Sequence, residues 1–202
     1  MGLIVAVIIV VVLAAAFYLV RFSPWSPRAG GDRQRLRRRY GREYDRLLAQ
    51  KGEDHDAVGQ ELAQREQDRK ALEIKPLTGD ERARLANAWQ AAETGFVDDP
   101  GTAARSAEQL VGETLAKLGY PAGDAERQLA LASVDHADAL SEFRDGHELL
   151  TRSHSGAPDV DTTEQLRQAM LHFRAFFDDL TGSSRTAVGS RNPRQTDRKA
   201  LV

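Results

Sequence analysis

The chain has 202 residues, a formal net charge of −2 and no cysteine. The length leaves room for one domain with its own core beside a shorter segment. The lack of cysteine excludes disulfides, thiolate metal sites and a cysteine nucleophile. Because 29% of the residues are charged and only 6% are aromatic, there is little apolar surface to bury outside the N-terminal segment.

The charges are distributed unevenly along the chain. Residues 21–50 carry nine basic and three acidic side chains, whereas residues 80–181 carry nine basic and nineteen acidic ones. Residues 182–202 are basic again, with five basic side chains and one acidic side chain. Such blocks are informative where the net charge is not. They predict a basic region, an acidic domain and a basic tail, in that order.

The N-terminal segment is strongly apolar. Residues 3–20, LIVAVIIVVVLAAAFYLV, contain no charge, no glycine and no proline. As a helix this run is roughly 27 Å long, close to the roughly 30 Å hydrocarbon core of a bilayer. We therefore expect residues 1–20 to form a single transmembrane anchor. The alternative is a cleaved signal peptide, although the segment has no basic n-region and its apolar core is long.

The arginines that follow predict the orientation of the anchor. No lysine or arginine precedes the apolar run, and nine arginines lie in residues 21–46. Because basic residues near a span stay on the cytoplasmic side, we expect the N-terminus outside and the rest of the chain in the cytoplasm. Aromatic rings prefer the headgroup level, and the candidates for this boundary are Tyr18, Phe22 and Trp25. The alternative is a secreted or surface-exposed domain.

Residues 21–74 predict a linker and two charged helices. Two prolines and two glycines in residues 21–31 predict a linker. Residues 32–50 predict a helix with one apolar stripe, weakened at Gly41. Residues 55–73 predict a second, solvent-rich helix with Val58 and Leu62 on one face. Together, residues 32–74 predict a charged helical hairpin or stalk.

The basic helix is the best functional candidate in the sequence. Just inside a span, each basic residue near an anionic leaflet contributes on the order of 1 kcal/mol to membrane contact. The alternative is that these arginines only fix the topology. Binding to nucleic acid is not favoured, because the acidic domain would repel phosphates. The residues predicted to contact lipid headgroups are Arg35, Arg37, Arg38, Arg39 and Arg42.

Residues 75–181 predict a series of amphipathic helices. Thr78 and Glu81 form a capping-box pattern, and Thr102 can cap the following helix. Gly119-Tyr120-Pro121 predicts a helix end, followed by a short helix over 123–132. Asp135 can cap a further helix over 136–151. The last predicted helix begins at Asp161 and has a heptad-like, coiled-coil-type stripe consisting of Leu166, Met170, Phe173, Phe177 and Leu180.

No segment shows the alternation of β-branched residues that strands need. The sequence therefore predicts an all-α protein with an N-terminal transmembrane helix and a charged stalk. A small antiparallel helical bundle over 75–181 follows. Residues 182–202 lack periodicity and predict a disordered tail.

Several segments resemble a family of uncharacterised bacterial membrane-anchored or secreted proteins. They are RRRYGREYDRLL (37–48), LAQREQDRKALEIKPLTGDERARLANAWQAAETGFVDDP (62–100), KLGYP (117–121), SVDHADAL (133–140) and TEQLRQAMLHFRAFFDDL (163–180). The resemblance covers most of residues 35–181. It implies an N-terminal apolar segment, an Arg-rich helix beside it and a helical domain. It implies no activity, cofactor or substrate.

No catalytic motif is present in the sequence. There is no G-x-S-x-G, no phosphate-binding glycine loop and no H-E-x-x-H. We therefore expect a non-enzymatic, membrane-tethered interaction or scaffold module that binds an unknown protein partner and needs no cofactor. The alternative is a metal-dependent hydrolase that uses His136 and His147 with nearby carboxylates. Those two histidines lie about 16 Å apart along one helix, too far apart to share an ion without other ligands.

Overall fold

The structure, a computed structural model, describes residues 27–153 and 160–183. These residues form seven helices and no strand, so the all-α class is confirmed. In chain order the helices are α1 (Pro27–Tyr40), α2 (Arg42–Gln50), α3 (His55–Lys70), α4 (Gly79–Gly95), α5 (Pro100–Leu118), α6 (Ala125–Ser153) and α7 (Val160–Thr181).

Several predicted features lie outside the described residues. They are the apolar run 3–20, most of the linker, the interfacial aromatics Tyr18, Phe22 and Trp25, and the tail from residue 184 onward. Among the helices of residues 27–153 and 160–183, none is both long and apolar enough to cross a bilayer.

The chain divides into two compact units, residues 1–63 and residues 64–202, with the boundary inside α3. In the first unit α1 begins at Pro27, within the predicted linker. Proline is well tolerated at a first helical position because its missing N–H has no partner there. The single helix predicted over 32–50 is wrong, because Gly41 adopts φ 50° and ψ −126° and separates α1 from α2.

The buried side chains of the first unit follow the predicted stripe. Tyr40, Tyr44 and Leu47 are buried. Glu43 is also buried and accepts two hydrogen bonds from Arg46, at 3.0 and 2.9 Å. In α3, the face predicted from Val58 and Leu62 packs into the interior of this unit. Val58 and Leu62 are completely buried there, as shown by their exposed fraction of 0%.

In the second unit, α4 begins with the predicted capping box. The Thr78 hydroxyl accepts from the Glu81 N–H at 3.2 Å, and the Glu81 carboxylate accepts from the Thr78 N–H at 2.8 Å. The predicted cap of α5 is wrong, since the Asp99 carboxylate accepts from the Thr102 N–H at 2.9 Å. Asp99 is thus the cap, and Pro100 takes the first helical position.

α6 replaces two predicted helices. It runs for 29 residues and is interrupted only at His136, where φ is −130° and ψ is 35°. Asp135 therefore does not cap a new helix, and its carboxylate instead contacts Arg69 and Tyr120. The ionisable side chains at this break, Asp135 and His136, both line a cavity in the second unit.

α6 and α7 run antiparallel, because His136 contacts Asp179 while the later residue Glu142 contacts the earlier residue His172. The two helices approach each other closely at Gly146. A Cβ there would lie 2.9 Å from the Cβ of His172 and 2.9 Å from the ring of Phe173. The predicted stripe of α7 is buried on this side, and with neighbouring helices it forms one core that includes Trp89, Leu115, Leu140, Phe173 and Phe177.

This contact generates a prediction about stability. We expect Gly146→Ala to lower the free energy of unfolding by about 1–3 kcal/mol, because the added methyl group overlaps the neighbouring helix. The matched control is Gly112→Ala in α5, where a Cβ would lie at an ordinary 3.7 Å from Gln128. That substitution should raise stability by about 0.5–1 kcal/mol. Urea unfolding of the full chain in mild detergent, followed by circular dichroism, measures both. A Gly146→Ala variant as stable as the parent contradicts the close approach.

Candidate functional site

The basic face of α1 carries the residues predicted to contact lipid. Arg35 and Arg38 are exposed on this helix and line a shallow depression of about 360 Å³ with Gly31, Gln34 and Arg39. Within the described part of the chain, no ion pair joins Arg35 or Arg38 to another residue. Their guanidinium groups are thus available to an external anion.

The other predicted arginines have partners within the protein. Arg37 pairs with Asp45 at 3.0 Å. The Arg39 guanidinium lies 5.4 Å from the centre of the Tyr40 ring. Arg42 is exposed at the first position of α2, on the other side of the Gly41 break from the rest. The structure therefore brings Arg35, Arg38 and Arg39 together and separates Arg37 and Arg42 from them.

The second unit has a polar cleft of about 450 Å³ that sequence reasoning did not predict. We define the polar cleft by five residues on three helices and one loop: Arg69 on α3, Tyr120 in the loop after α5, Asp135 and His136 on α6, and Asp179 on α7. An apolar wall completes it, consisting of Ile74, Leu77, Leu118 and Leu180.

Gly119 positions the cleft. It adopts φ 105°, in the left-handed region that favours glycine, and ends α5 just before Tyr120. A Cβ at this position would lie 2.5 Å from the Glu73 carbonyl oxygen. The Lys75 N–H donates to the Leu118 carbonyl at 2.9 Å. The segment that follows α3 is thus held against the end of α5, which brings Arg69 close to Tyr120.

Three of the cleft residues form one hydrogen-bonded group. Arg69 Nε and the Tyr120 hydroxyl both donate to Asp135 Oδ2, the latter at 2.9 Å. The Arg69 guanidinium lies 5.7 Å from the centre of the Tyr120 ring. Burial, followed by the neighbouring Asp135 carboxylate, raises the pKa of Tyr120. Burial alone would lower the pKa of Arg69, but its hydrogen bonds to Asp135 and Tyr120 outweigh that effect and raise it.

The four described histidines each contact a side chain on another helix. His55 lies 2.9 Å from the Tyr44 hydroxyl. The other three contact carboxylates, in the pairs His136–Asp179 at 2.5 Å, His147–Glu108, and His172–Glu142 at 2.9 Å. His154 lies outside the described residues. These pairs link α5 to α6 and α6 to α7.

The structure does not bring His136 and His147 together at one site. Asp179 of α7 holds the first, and Glu108 of α5 holds the second. Within residues 27–153 and 160–183, the metal-ligating atoms of three residues converge at a different place, formed by Glu142, Asp145 and His172. Sequence reasoning missed this group because His172 follows Glu142 by thirty residues on a separate helix. The available signal was the i, i+3 spacing of the two acids, which places them on one helix face.

The comparisons with known proteins identify no relative. No known protein family matches this chain, and no curated protein or solved structure matches it. The candidate sites are therefore defined by geometry alone, separately in each unit: the basic helix α1 in the first unit, and the polar cleft with the paired histidines in the second.

The buried phenol generates a prediction about alkaline pH. Because the pKa of Tyr120 is raised in the folded state, the neutral phenol contributes stability that is lost as pH rises past its ordinary value of 10.0. We expect Tyr120→Phe to cost about 1 kcal/mol near pH 8, from the lost hydrogen bond to Asp135. The difference from the parent should shrink toward about pH 11, because phenylalanine cannot ionise. Urea unfolding at both pH values measures this, and a pH-independent difference contradicts it.

Proposed function

We propose that this chain is a membrane-tethered helical interaction module, anchored by residues 3–20 and contacting anionic headgroups through α1. The observation that carries the proposal is the exposure of Arg35 and Arg38, without ion pairs in the described part of the chain, on the helix that follows the apolar run. The soluble units then face the cytoplasm, where anionic lipids are concentrated.

Guanidinium groups suit this role for two reasons. Their planar donors match phosphate oxygens, and their charge persists at any physiological pH. Each basic residue near an anionic leaflet contributes about 1 kcal/mol, and this attraction decreases with salt. Arg35 and Arg38 lie one turn apart on an exposed face, so both can reach the same surface.

The second unit supports an interaction role rather than catalysis. Its described histidines and the Arg69–Asp135–Tyr120 group link helices to one another. The alternative, a metal-dependent hydrolase using His136 and His147, requires both imidazoles at one ion. Their partners lie on different helices, which favours the interaction module. A secreted domain remains the alternative that depends on topology.

The first experiment tests the topology of the full chain. A reporter active only in the cytoplasm and a second reporter active only outside are fused, separately, after Val202. We expect the cytoplasmic reporter to be active in a membrane-bound fusion of full length, because the arginines after the apolar run resist translocation. Activity of the outside reporter, or a product shortened by the N-terminal segment, overturns the proposed location and favours the secreted alternative.

A second experiment tests the headgroup contact. Because the chain has no cysteine, a single cysteine at Gln34 can be labelled with an environment-sensitive fluorophore in the full chain reconstituted into vesicles. We expect a blue shift with anionic lipids that is absent with neutral lipids. Replacing Arg35 and Arg38 by glutamine should remove about 2 kcal/mol of contact, roughly a 30-fold loss in the docking equilibrium.

The controls for this experiment lie in the second unit. A cysteine at the exposed Gln90 reports on the bundle, and a double variant at the exposed Arg84 and Arg127 removes the same charge elsewhere. The label at Gln90 should not show the blue shift seen at position 34. The Arg84/Arg127 variant should leave the signal from position 34 unchanged. An equal shift with neutral lipids, or an equal loss in the Arg84/Arg127 variant, contradicts a specific contact by α1.

A further inference from the structure

Three side chains with metal-binding atoms converge where α6 packs against α7. Glu142 and Asp145 lie on α6, His172 lies on α7, and their ligand atoms all lie within 4.8 Å of one another. His172 Nδ1 is 2.9 Å from Glu142 Oε2. All three side chains are half-buried, so solvent can reach the group. Ligands at about 2.1 Å from a shared ion lie up to about 4.2 Å apart, so small rotamer changes suffice to close the site.

Close packing of the α6 and α7 backbones places His172 beside Glu142 and Asp145. Gly146 directly follows Asp145, and its missing side chain lets α7 approach so closely that a Cβ would lie 2.9 Å from the Cβ of His172. The same virtual atom would lie 3.1 Å from the Ala169 carbonyl oxygen. The imidazole is thus fixed beside the two carboxylates by close packing of the helices, rather than by a flexible loop.

The donor set selects a class of ion. Two carboxylates and one imidazole supply oxygen and nitrogen ligands and no sulfur. Imidazole suits first-row transition ions and is a poor ligand for Ca²⁺ or Mg²⁺, which prefer oxygen. The two carboxylates also supply the negative charge that a divalent cation needs.

We propose that Glu142, Asp145 and His172 bind a divalent first-row transition ion such as Zn²⁺, with water at the remaining positions. The ion links α6 to α7 across the position of Gly146. This site is distinct from the predicted His136/His147 pair, and it does not depend on the membrane role of the first unit.

The protein itself supplies a matched comparison. His147 is also an imidazole paired with a glutamate on a neighbouring helix, Glu108, and it is more exposed than His172. No third ligand converges on that pair within the described residues. A metal site should therefore respond to changes at His172 but not at His147, whereas general binding to surface histidines should respond to both.

The experiment is calorimetric titration of the full chain in mild detergent with Zn²⁺, and separately with Mg²⁺. We expect one saturable Zn²⁺ site per chain and no comparable Mg²⁺ site. His172→Gln should lower the Zn²⁺ affinity by at least about tenfold, because the ion loses one of three protein ligands. His147→Gln should bind Zn²⁺ as the parent does.

A second variant keeps the test decisive if His172→Gln fails to fold. Asp145→Asn leaves the His172–Glu142 hydrogen bond in place and removes one charged ligand. It should lower the affinity to a similar extent while the circular dichroism spectrum stays that of the parent. The proposal is overturned if no saturable site appears, if His147→Gln and His172→Gln have equal effects, or if a folded Asp145→Asn variant binds Zn²⁺ as tightly as the parent.

Discussion

The close approach of α6 and α7 at Gly146 is the constraint on which the second unit depends. A residue with a side chain at this position would collide with both His172 and Phe173. Because Phe173 also packs against Phe143, at 5.3 Å between ring centres, a shift of α7 would disturb the aromatic centre of the core. Interiors are packed too densely to absorb such a shift locally. The lack of a side chain at Gly146 thus permits the close spacing of α6 and α7, on which the positions of His172 and Phe173 depend.

The ionisable side chains then add orientation to that spacing. His136–Asp179 and His172–Glu142 join α6 to α7 at two levels, and His147–Glu108 joins α6 to α5. Hydrogen bonds of this kind contribute only modestly to net stability, because each group gives up a hydrogen bond to water. Their larger effect is on register, since a helix displaced by one turn would leave each carboxylate without its imidazole. The apolar core supplies stability, and the histidine pairs select one arrangement of it.

The sequence predicted those features that depend on neighbouring residues. The Thr78–Glu81 capping box, the helix end at Gly119 and the buried stripe of α7 are local patterns, and the structure contains all three. The prediction of the start of α5 failed because two neighbouring residues are of types that cap helices. Asp99 and Thr102 can both cap a helix, and Pro100 decides in favour of Asp99. The break at His136 and the groups around Asp135 and His172 arise from contacts between distant helices. Spacing along one helix places at most Glu142 and Asp145 on a common face, and it does not reveal the partner from another helix.

The uneven charge along the chain gives the two units different electrostatic roles. Residues 80–181 have nineteen acidic side chains for nine basic ones, so arginine and lysine cannot neutralise them all. Three of these carboxylates, those of Glu108, Glu142 and Asp179, instead contact histidine rings. The remaining acidic excess raises the local concentration of cations, which favours metal uptake. An anionic lipid surface attracts the arginines of α1 and repels this acidic bundle.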